Sequence, residues 1–108
     1  MIRHVQDIPC LQELRGALES VFGKNLLHVI LYGSRARGDA RGDSDVDILI
    51  VLNDFNDIEA EYDRVDSLFS RLSLEYDLVF AAHIAREAEF AHALTPLLMN
   101  VRREGITL

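Results

Sequence analysis

The sequence of 108 residues has only one cysteine, Cys10, and only one lysine, Lys24. A single cysteine excludes an internal disulfide, and a small buried thiol is its expected role. The formal net charge of −7 argues against general affinity for nucleic acid, because that affinity depends on many basic side chains that neutralise phosphates. If the chain has a macromolecular partner, that partner is expected to be basic.

Long apolar runs, internal repeats and low-complexity segments are also missing. No run reaches the roughly 20 apolar residues that span a bilayer, and the N-terminal stretch MIRHVQDIPCLQEL has no long apolar block for a signal peptide. The expected location is therefore the cytoplasm, without contact to a membrane. The length and the ordinary share of apolar residues predict one domain over residues 1–108, with a single core.

The spacing of apolar residues predicts an α/β fold with a small central sheet. The segment Val46 to Leu52 is apolar at every position but Asp47, which is typical of a strand covered on both faces. The predicted elements, in order, are a helix capped at Asp7 with Pro9 in its first turn and ending near Gly23, a strand over residues 26–32, a loop over 34–44, a strand over 46–52, a helix over 58–73, a strand over 75–82, a weakly patterned helix over 85–94, and a helix from Thr95-Pro96 to Gly105.

Two aspartates at the start of the second strand indicate a cation site. Residues two apart in an extended chain point to the same side, so Asp45 and Asp47 present their carboxylates together. Their mutual repulsion in a covered strand requires a positive charge between them. Oxygen ligands select a hard cation, and Mg²⁺ takes one or two carboxylates together with phosphate oxygens and water. Asp77 offers a third carboxylate if the strand over residues 75–82 lies beside this one.

A glycine turn and a group of arginines indicate an anion beside that cation. Gly33-Ser34 ends the first strand, where backbone amides can approach a phosphate and the serine hydroxyl can donate to it, helped by any helical turn that follows. Arg35, Arg37 and Arg41 fall within seven residues. They indicate a small anionic ligand, although a structural ion pair with a neighbouring aspartate is an equally open role for each of the first two.

Three other interpretations of this stretch fail. The glycines after Tyr32 have the spacing of a P-loop, but Asp39 and Ala40 occupy the positions of its lysine and hydroxyl residue. A calcium loop beginning at Asp43 lacks its glycine, because Ile48 stands there. The sequence RGD occurs twice, and without a secretion signal we interpret both occurrences as chance.

The combination of Gly-Ser, ten residues, Asp-x-Asp and a later aspartate resembles the DNA polymerase β-type nucleotidyltransferase superfamily. Gly33, Ser34, Asp45 and Asp47 match its signature, and Asp77 in YDLVF matches the position of its third carboxylate. The shortness of the chain is similar to the minimal nucleotidyltransferase branch, and the ending LTPLLMNVRREGITL resembles the C-terminal helix of those proteins. The resemblance implies a mixed central sheet of the polymerase β palm type with flanking helices.

What the resemblance implies is an enzyme that transfers a nucleoside monophosphate, with AMP from ATP expected, to an acceptor hydroxyl with two Mg²⁺ ions. Asp45 and Asp47 would hold both ions and the triphosphate. Asp77 would hold the catalytic ion and help to deprotonate the acceptor. The implied ligands of the β- and γ-phosphates are Gly33 and Ser34, with Arg35 or Arg37 adding charge.

Larger members of the superfamily add a helical domain that binds the acceptor, and we find none here, so another protein is expected to supply it. In the minimal branch the usual companion is a HEPN-domain protein, often a toxic RNase, and the nucleotidyltransferase acts as an antitoxin that adenylylates a tyrosine. Two alternatives stay open. In the first alternative, the chain is an antitoxin that acts by contact alone, with an idle metal site. In the second, it is a small-molecule nucleotidyltransferase that completes its acceptor site by dimerising, as an aminoglycoside-modifying enzyme would.

Overall fold

The structure, a computed structural model, describes residues 10–38 and 45–108. The elements that position the site are listed here in chain order: helix α1 (Leu11–Phe22), strand β1 (Leu26–Tyr32), helix α2 (Ser34–Arg37), strand β2 (Val46–Leu52), helix α3 (Ile58–Tyr76), strand β3 (Phe80–Arg86), helix α4 (Glu87–Ala91), helix α5 (Pro96–Glu104) and strand β4 (Ile106–Thr107).

The strands form one mixed sheet in the order β3, β2, β1, β4. Strand β2 pairs antiparallel with β1 and parallel with β3, and β1 pairs antiparallel with β4. Every residue of β2 is buried except Asp47, as the nearly unbroken apolar run predicts for a central strand. The predicted α/β fold with a small mixed sheet and flanking helices is confirmed.

Side chains alternate along β2 between two buried clusters, one on each face of the sheet. Ile48 and Ile50 belong to the cluster that the sheet forms with α1 and α3. Leu49 and Val51 belong to the other cluster, which the sheet forms with α5. Because Asp47 has the same parity as this second pair, its carboxylate lies on the α5 face, where β2 begins.

The third strand does not lie where the sequence predicts it. Helix α3 continues to Tyr76, Asp77 follows it with a left-handed φ of 54°, and β3 begins only at Phe80. The helix continues because Tyr76 follows Leu72 by four residues and packs against the same core. A short apolar run such as YDLVFAA does not by itself distinguish a strand from a helix end. The predicted strand over residues 75–82 is therefore wrong.

The remaining boundaries agree with the sequence to different degrees. Strands β1 and β2 have the predicted bounds. The Thr95 hydroxyl accepts from the Leu98 amide at 3.2 Å and Pro96 begins α5, as predicted. Helix α4 is shorter than predicted because β3 extends to Arg86. Strand β4 has two residues, too few for a pattern to indicate. The predicted helix start at Asp7 and Pro9, and the loop over residues 39–44, lie outside the described residues.

The cap of α3 gives a first testable prediction. The Asp57 carboxylate accepts hydrogen bonds from the Glu59 amide at 3.0 Å and from the Ala60 amide at 3.4 Å. Asp57→Ala leaves these amides without a protein acceptor, so we expect a loss of about 1 kcal/mol in the free energy of unfolding. Calorimetry should show a melting temperature lower by about 4–8 °C. Asp63→Ala removes the same charge from the exposed middle of α3 and should change neither quantity; equal losses in both variants would contradict the capping role.

Candidate functional site

The site is centred on Asp47, the second residue of β2. In the sheet it is paired with Tyr32, the last residue of β1, and with Ala81 of β3. Asp47 is half-buried, while Asp45 is exposed immediately before the strand. Burial raises the pKa of the Asp47 carboxyl, and the negative charge of Asp45 raises it further. The two predicted carboxylates therefore lie close enough for the charge of one to be felt by the other.

The glycine turn touches this carboxylate. Gly33 has a φ of 76° and a ψ of −157°, a conformation open almost only to glycine. A Cβ atom added there would lie 3.2 Å from Cγ of Asp47 and would overlap its Oδ2. The absence of a side chain at Gly33 thus lets the backbone of the turn lie directly against the Asp47 carboxylate. The predicted phosphate turn and the predicted cation pair are adjacent.

One helical turn follows the glycine, inside the segment that the sequence predicts as a loop. The amides of Ala36 and Arg37 both donate to the Gly33 carbonyl at 3.1 Å, and the Gly38 amide donates to the Ser34 carbonyl at 2.9 Å. Ala36 is buried in the cluster that also contains α1, which fixes the turn to the core. Ser34 is therefore held at the first position of the turn, beside Gly33.

Arg37 links the turn to the C-terminal helix. Its Nη1 lies 3.1 Å from Oε1 of Glu104, the last residue of α5. Its positive charge lowers the pKa of Asp47, which partly opposes the effects of burial and of Asp45. Arg37 therefore serves both as an ion-pair partner and as a source of positive potential at the carboxylate pair. Arg35 is half-buried, and its charge acts on the Cys10 thiol at the start of α1.

Two residues of this site, Tyr32 and Glu104, are not part of the sequence motif. The Tyr32 phenol is half-buried beside Asp47, and its pKa is raised by burial and then by the Asp47 charge. Its place directly before Gly33 is the only signal in the sequence. The signal in the sequence for Glu104 is clearer. An acidic residue at the C-terminal end of a helix interacts unfavourably with the helix dipole, so its presence indicates a role other than helix stabilisation.

Asp77 is not brought to the pair. It ends α3, and the register of β3 places Ala81 rather than Asp77 beside Asp47. Among residues 10–38 and 45–108, no three histidine, cysteine, aspartate or glutamate side chains are arranged to hold a metal ion. The described residues do not bring three carboxylates together, so the candidate site consists of two carboxylates and the glycine turn, and the metal-binding role of Asp77 stays a prediction.

The residues present fit a hydrated Mg²⁺ ion that is shared with phosphate. Asp45 and Asp47 supply only oxygen ligands, and the raised pKa of Asp47 shows that a negative charge there lacks full compensation. Two protein carboxylates are also the usual number for Mg²⁺ that completes its shell with phosphate oxygens and water. A phosphate at Gly33-Ser34 would lie beside the same carboxylate.

Comparison with known proteins decides the family. Residues 11–103 match the family model described as the nucleotidyltransferase domain. This chain belongs to the nucleotidyltransferase domain family. Both the predicted enzyme class and the resemblance on which it is based are thereby confirmed. Within the described residues, no helix is long and apolar enough to cross a membrane.

Two curated relatives come from Methanocaldococcus jannaschii, and both are named as candidate protein adenylyltransferases. One is 35% identical over 99 residues, which are 91% of this chain and 93% of the relative. The other is 32% identical over 83 residues, which are 77% of this chain and 83% of the relative. Both alignments cover at least three quarters of each protein, so the similarity is not confined to the Gly-Ser and Asp-x-Asp segments.

Solved structures share the fold at lower identity. A crystal structure of a toxin–antitoxin with AMP-PNP matches with a TM-score of 0.64 and 23% identity, over 90% of this chain and 71% of that one. A candidate nucleotidyltransferase from Sulfolobus solfataricus matches with a TM-score of 0.63 and 22% identity, over 96% of this chain and 80% of that one. The sheet and helices described above are therefore those of known nucleotidyltransferase structures.

Proposed function

We propose that this nucleotidyltransferase moves AMP from Mg²⁺-bound ATP to a hydroxyl group of a partner protein. The observation that carries the proposal is the contact between Gly33 and the Asp47 carboxylate, which places an anion-binding turn against a cation-binding pair. The two relatives named as candidate protein adenylyltransferases support ATP as the donor and a protein as the acceptor.

In the proposed reaction, Asp45 and Asp47 hold Mg²⁺ while Gly33-Ser34 holds the β- and γ-phosphates. A cation held by these residues would neutralise phosphate charge and lower the pKa of the acceptor hydroxyl. The acceptor oxygen forms a bond to the α-phosphorus, the bond from that phosphorus to the bridging oxygen breaks, and pyrophosphate leaves. The hydroxyl proton passes to solvent on the exposed side of the pair, where Asp45 lies. Arg37 adds positive potential and is anchored by Glu104.

The proposed acceptor is a HEPN-domain toxin, which the transfer would neutralise in the cytoplasm. Two structural neighbours are toxin–antitoxin complexes, one of them with AMP-PNP, and these neighbours motivate the choice. The net charge of −7 favours a basic partner over a second copy of the same chain.

The test is transfer of label from ATP. The purified chain is incubated with Mg²⁺, a candidate HEPN-type protein, and ATP labelled either at the α- or at the γ-phosphate. We expect α-label, but not γ-label, on the partner, and no label with EDTA or with Asp47→Asn. Neutralisation that survives Asp47→Asn would indicate inhibition by contact alone. Transfer to an aminoglycoside without any partner protein would indicate the small-molecule alternative.

The role of Asp77 needs a separate prediction, because the resemblance and the structure differ on it. Asparagine adopts the left-handed conformation at a helix end as readily as aspartate, so Asp77→Asn should leave the free energy of unfolding within about 0.5 kcal/mol. If Asp77 holds the catalytic metal, as the resemblance implies, transfer should fall at least about a hundredfold, an activation cost of about 3 kcal/mol. Unchanged transfer would refute that role and leave the reaction to Asp45 and Asp47.

A further inference from the structure

A groove with exposed apolar side chains lies between α3 and β3, on the face of the sheet opposite Asp47. Its volume is about 620 Å³. Leu74 of α3, which lines the groove, is 87% exposed, so a large apolar side chain faces water here. The lining side chains used below are Asp66, Phe69, Ser70 and Leu74 of α3 and Phe80 and Ala82 of β3.

The edge of the sheet beside this groove has open hydrogen-bonding groups. Strand β3 is the outermost strand on its side, and no strand in the described part of the chain pairs with its outer edge. The Val46 amide of β2 donates to the Val79 carbonyl at 2.7 Å, so Val79 and Ala81 direct their backbone groups toward β2. Because successive residues of a strand direct their backbone N–H and C=O groups to opposite edges, those of Phe80 and Ala82 point away from β2, toward the open edge beside the groove.

Further along β3, one side chain already occupies the edge. The Ile84 amide also points outward, and it donates to the Tyr62 hydroxyl of α3 at 3.0 Å. This bond confirms the direction of alternation and closes the edge to a further strand at that point. The open segment is therefore the short stretch from Phe80 to Ala82, at the end of β3 that lies beside Asp47.

The groove has acidic surroundings. Asp66 forms no ion pair with any described residue. Helix α3 has five acidic side chains and two arginines, and both arginines are occupied, Arg64 by Glu61 and Arg71 by Glu75. A second copy of this chain would bring the same acidic groove and the same net charge of −7, so the charges favour a basic occupant.

We propose that this groove binds an extended, basic and aliphatic segment of a second protein, which adds as a strand to the open edge at Phe80–Ala82. Aliphatic side chains of the segment cover Leu74, its basic side chains face Asp66, and its backbone pairs with the outward groups of the edge. The proposal deepens the proposed function and depends on it in one respect, because the docked segment is the one that presents the acceptor hydroxyl.

The register of the sheet explains how such a segment reaches the site. Ala81 lies beside Asp47, and its methyl group is on the α5 face together with the carboxylate. An added strand lies one further spacing, about 4.8 Å, beyond β3. A long hydroxyl side chain on its α5 face, such as a tyrosine, would cross only the small Ala81 to reach the carboxylate pair.

The probe is a fluorescein-labelled peptide in which every second residue, on the face toward the groove, is valine or lysine in turn. The other positions are serine apart from one central tyrosine, and binding is followed by anisotropy. We expect the peptide to bind the full chain and a version with glutamate in place of lysine not to bind. Leu74→Ser and Asp66→Lys should each weaken binding at least tenfold. The matched controls, Leu94→Ser at another exposed leucine and Glu59→Lys at the start of α3, should leave affinity unchanged. Equal affinity in the groove variants would overturn the proposal.

Hydrogen exchange tests whether the peptide adds as a strand. The amides of Phe80 and Ala82 should become protected on binding, whereas the Ile84 amide, already bonded to Tyr62, should not change. Ala82→Pro removes an outward donor without removing a bond to β2, so it should abolish binding while the protein stays folded by circular dichroism. Binding without protection at Phe80 and Ala82, or a dimer that Leu74→Ser dissolves, would overturn the proposal.

Docking and chemistry can fail separately in these experiments. Peptide binding is measured without ATP or Mg²⁺, so it does not depend on nucleotidyl transfer. If the natural chain transfers AMP to its partner and the Leu74→Ser variant transfers equally well, the docking proposal is refuted and the proposed function is retained. Peptide binding with no transfer to any protein would refute the proposed function and keep the groove as a peptide site.

Discussion

Asp47→Asn should abolish nucleotidyl transfer and at the same time stabilise the metal-free protein. We expect transfer to fall at least about a thousandfold, or about 4 kcal/mol of activation free energy, because a neutral amide holds Mg²⁺ poorly. In EDTA at pH 7, the free energy of unfolding should rise by about 1 kcal/mol, because the variant no longer keeps a half-buried charge beside Asp45.

The pH dependence of this gain follows from the sign of the pKa shift. A raised pKa means that the folded protein binds the Asp47 proton more tightly than the unfolded chain, so the ionised carboxylate destabilises the fold. The destabilisation is absent below the unfolded pKa of about 3.9 and complete above the raised folded pKa. Urea unfolding in EDTA should therefore show the gain at pH 7 and its loss on acidification.

A control separates this effect from a general loss of negative charge. Asp63→Asn makes the same change at an exposed position on α3 and should alter neither transfer nor stability. If Asp47→Asn destabilised the metal-free protein, Asp47 would have a structural role that the repulsion with Asp45 does not explain. If it kept transfer, the proposed cation site would be wrong.

Gly33→Ala is expected to damage both the fold and the site. An alanine at a φ of 76° and a ψ of −157° costs about 1–3 kcal/mol of strain. Its Cβ atom would also displace the Asp47 carboxylate, with which it would overlap. A shift of that carboxylate by about 1 Å can reduce catalysis about a hundredfold, so kcat/KM for the partner protein should fall by at least that factor.

Two further variants identify the cause. Gly16→Ala, in the exposed face of α1, meets no atom within 4 Å and should stabilise the helix by about 0.5–1 kcal/mol. In an Asp47→Ala background, Gly33→Ala should cost less stability than in the natural chain, because the overlapping carboxylate is gone and only backbone strain is left. Equal costs in both backgrounds would show that the contact between the two residues has no energetic effect.

The sequence was sufficient to predict β1, β2 and the glycine that ends β1, because each signal there is local. Strand β2 is apolar at all positions but Asp47, and glycine ends the strand before it. The same reasoning failed at Asp77, where the apolar residues of YDLVFAA are compatible with a strand and also with the end of a helix. Packing of Tyr76 on the core decides between them, and periodicity does not contain that information.

The tertiary contacts of the site could not be predicted from the sequence either. Arg37 and Glu104 are 67 positions apart in the chain, and only the closure of α5 over the sheet brings them to 3.1 Å. The opposition of Tyr32 and Asp47 depends on the register of an antiparallel pair, which is set by the whole sheet. The spacing of residues in the sequence identified the reactive residues of the site. The residues that support them could be identified only from the fold.

Because of that register, the activity of the protein depends on the correct pairing of β1 and β2. A slip of β2 by one residue would turn Asp47 toward the α3 core and move Val46 and Ile48 to the α5 face. Gly33 would then no longer face a carboxylate, and a chain with nearly native secondary structure would bind no metal nucleotide. Recovery of nucleotidyl transfer after refolding is therefore a stricter test of strand register than circular dichroism. Circular dichroism measures the content of secondary structure and does not depend on the register.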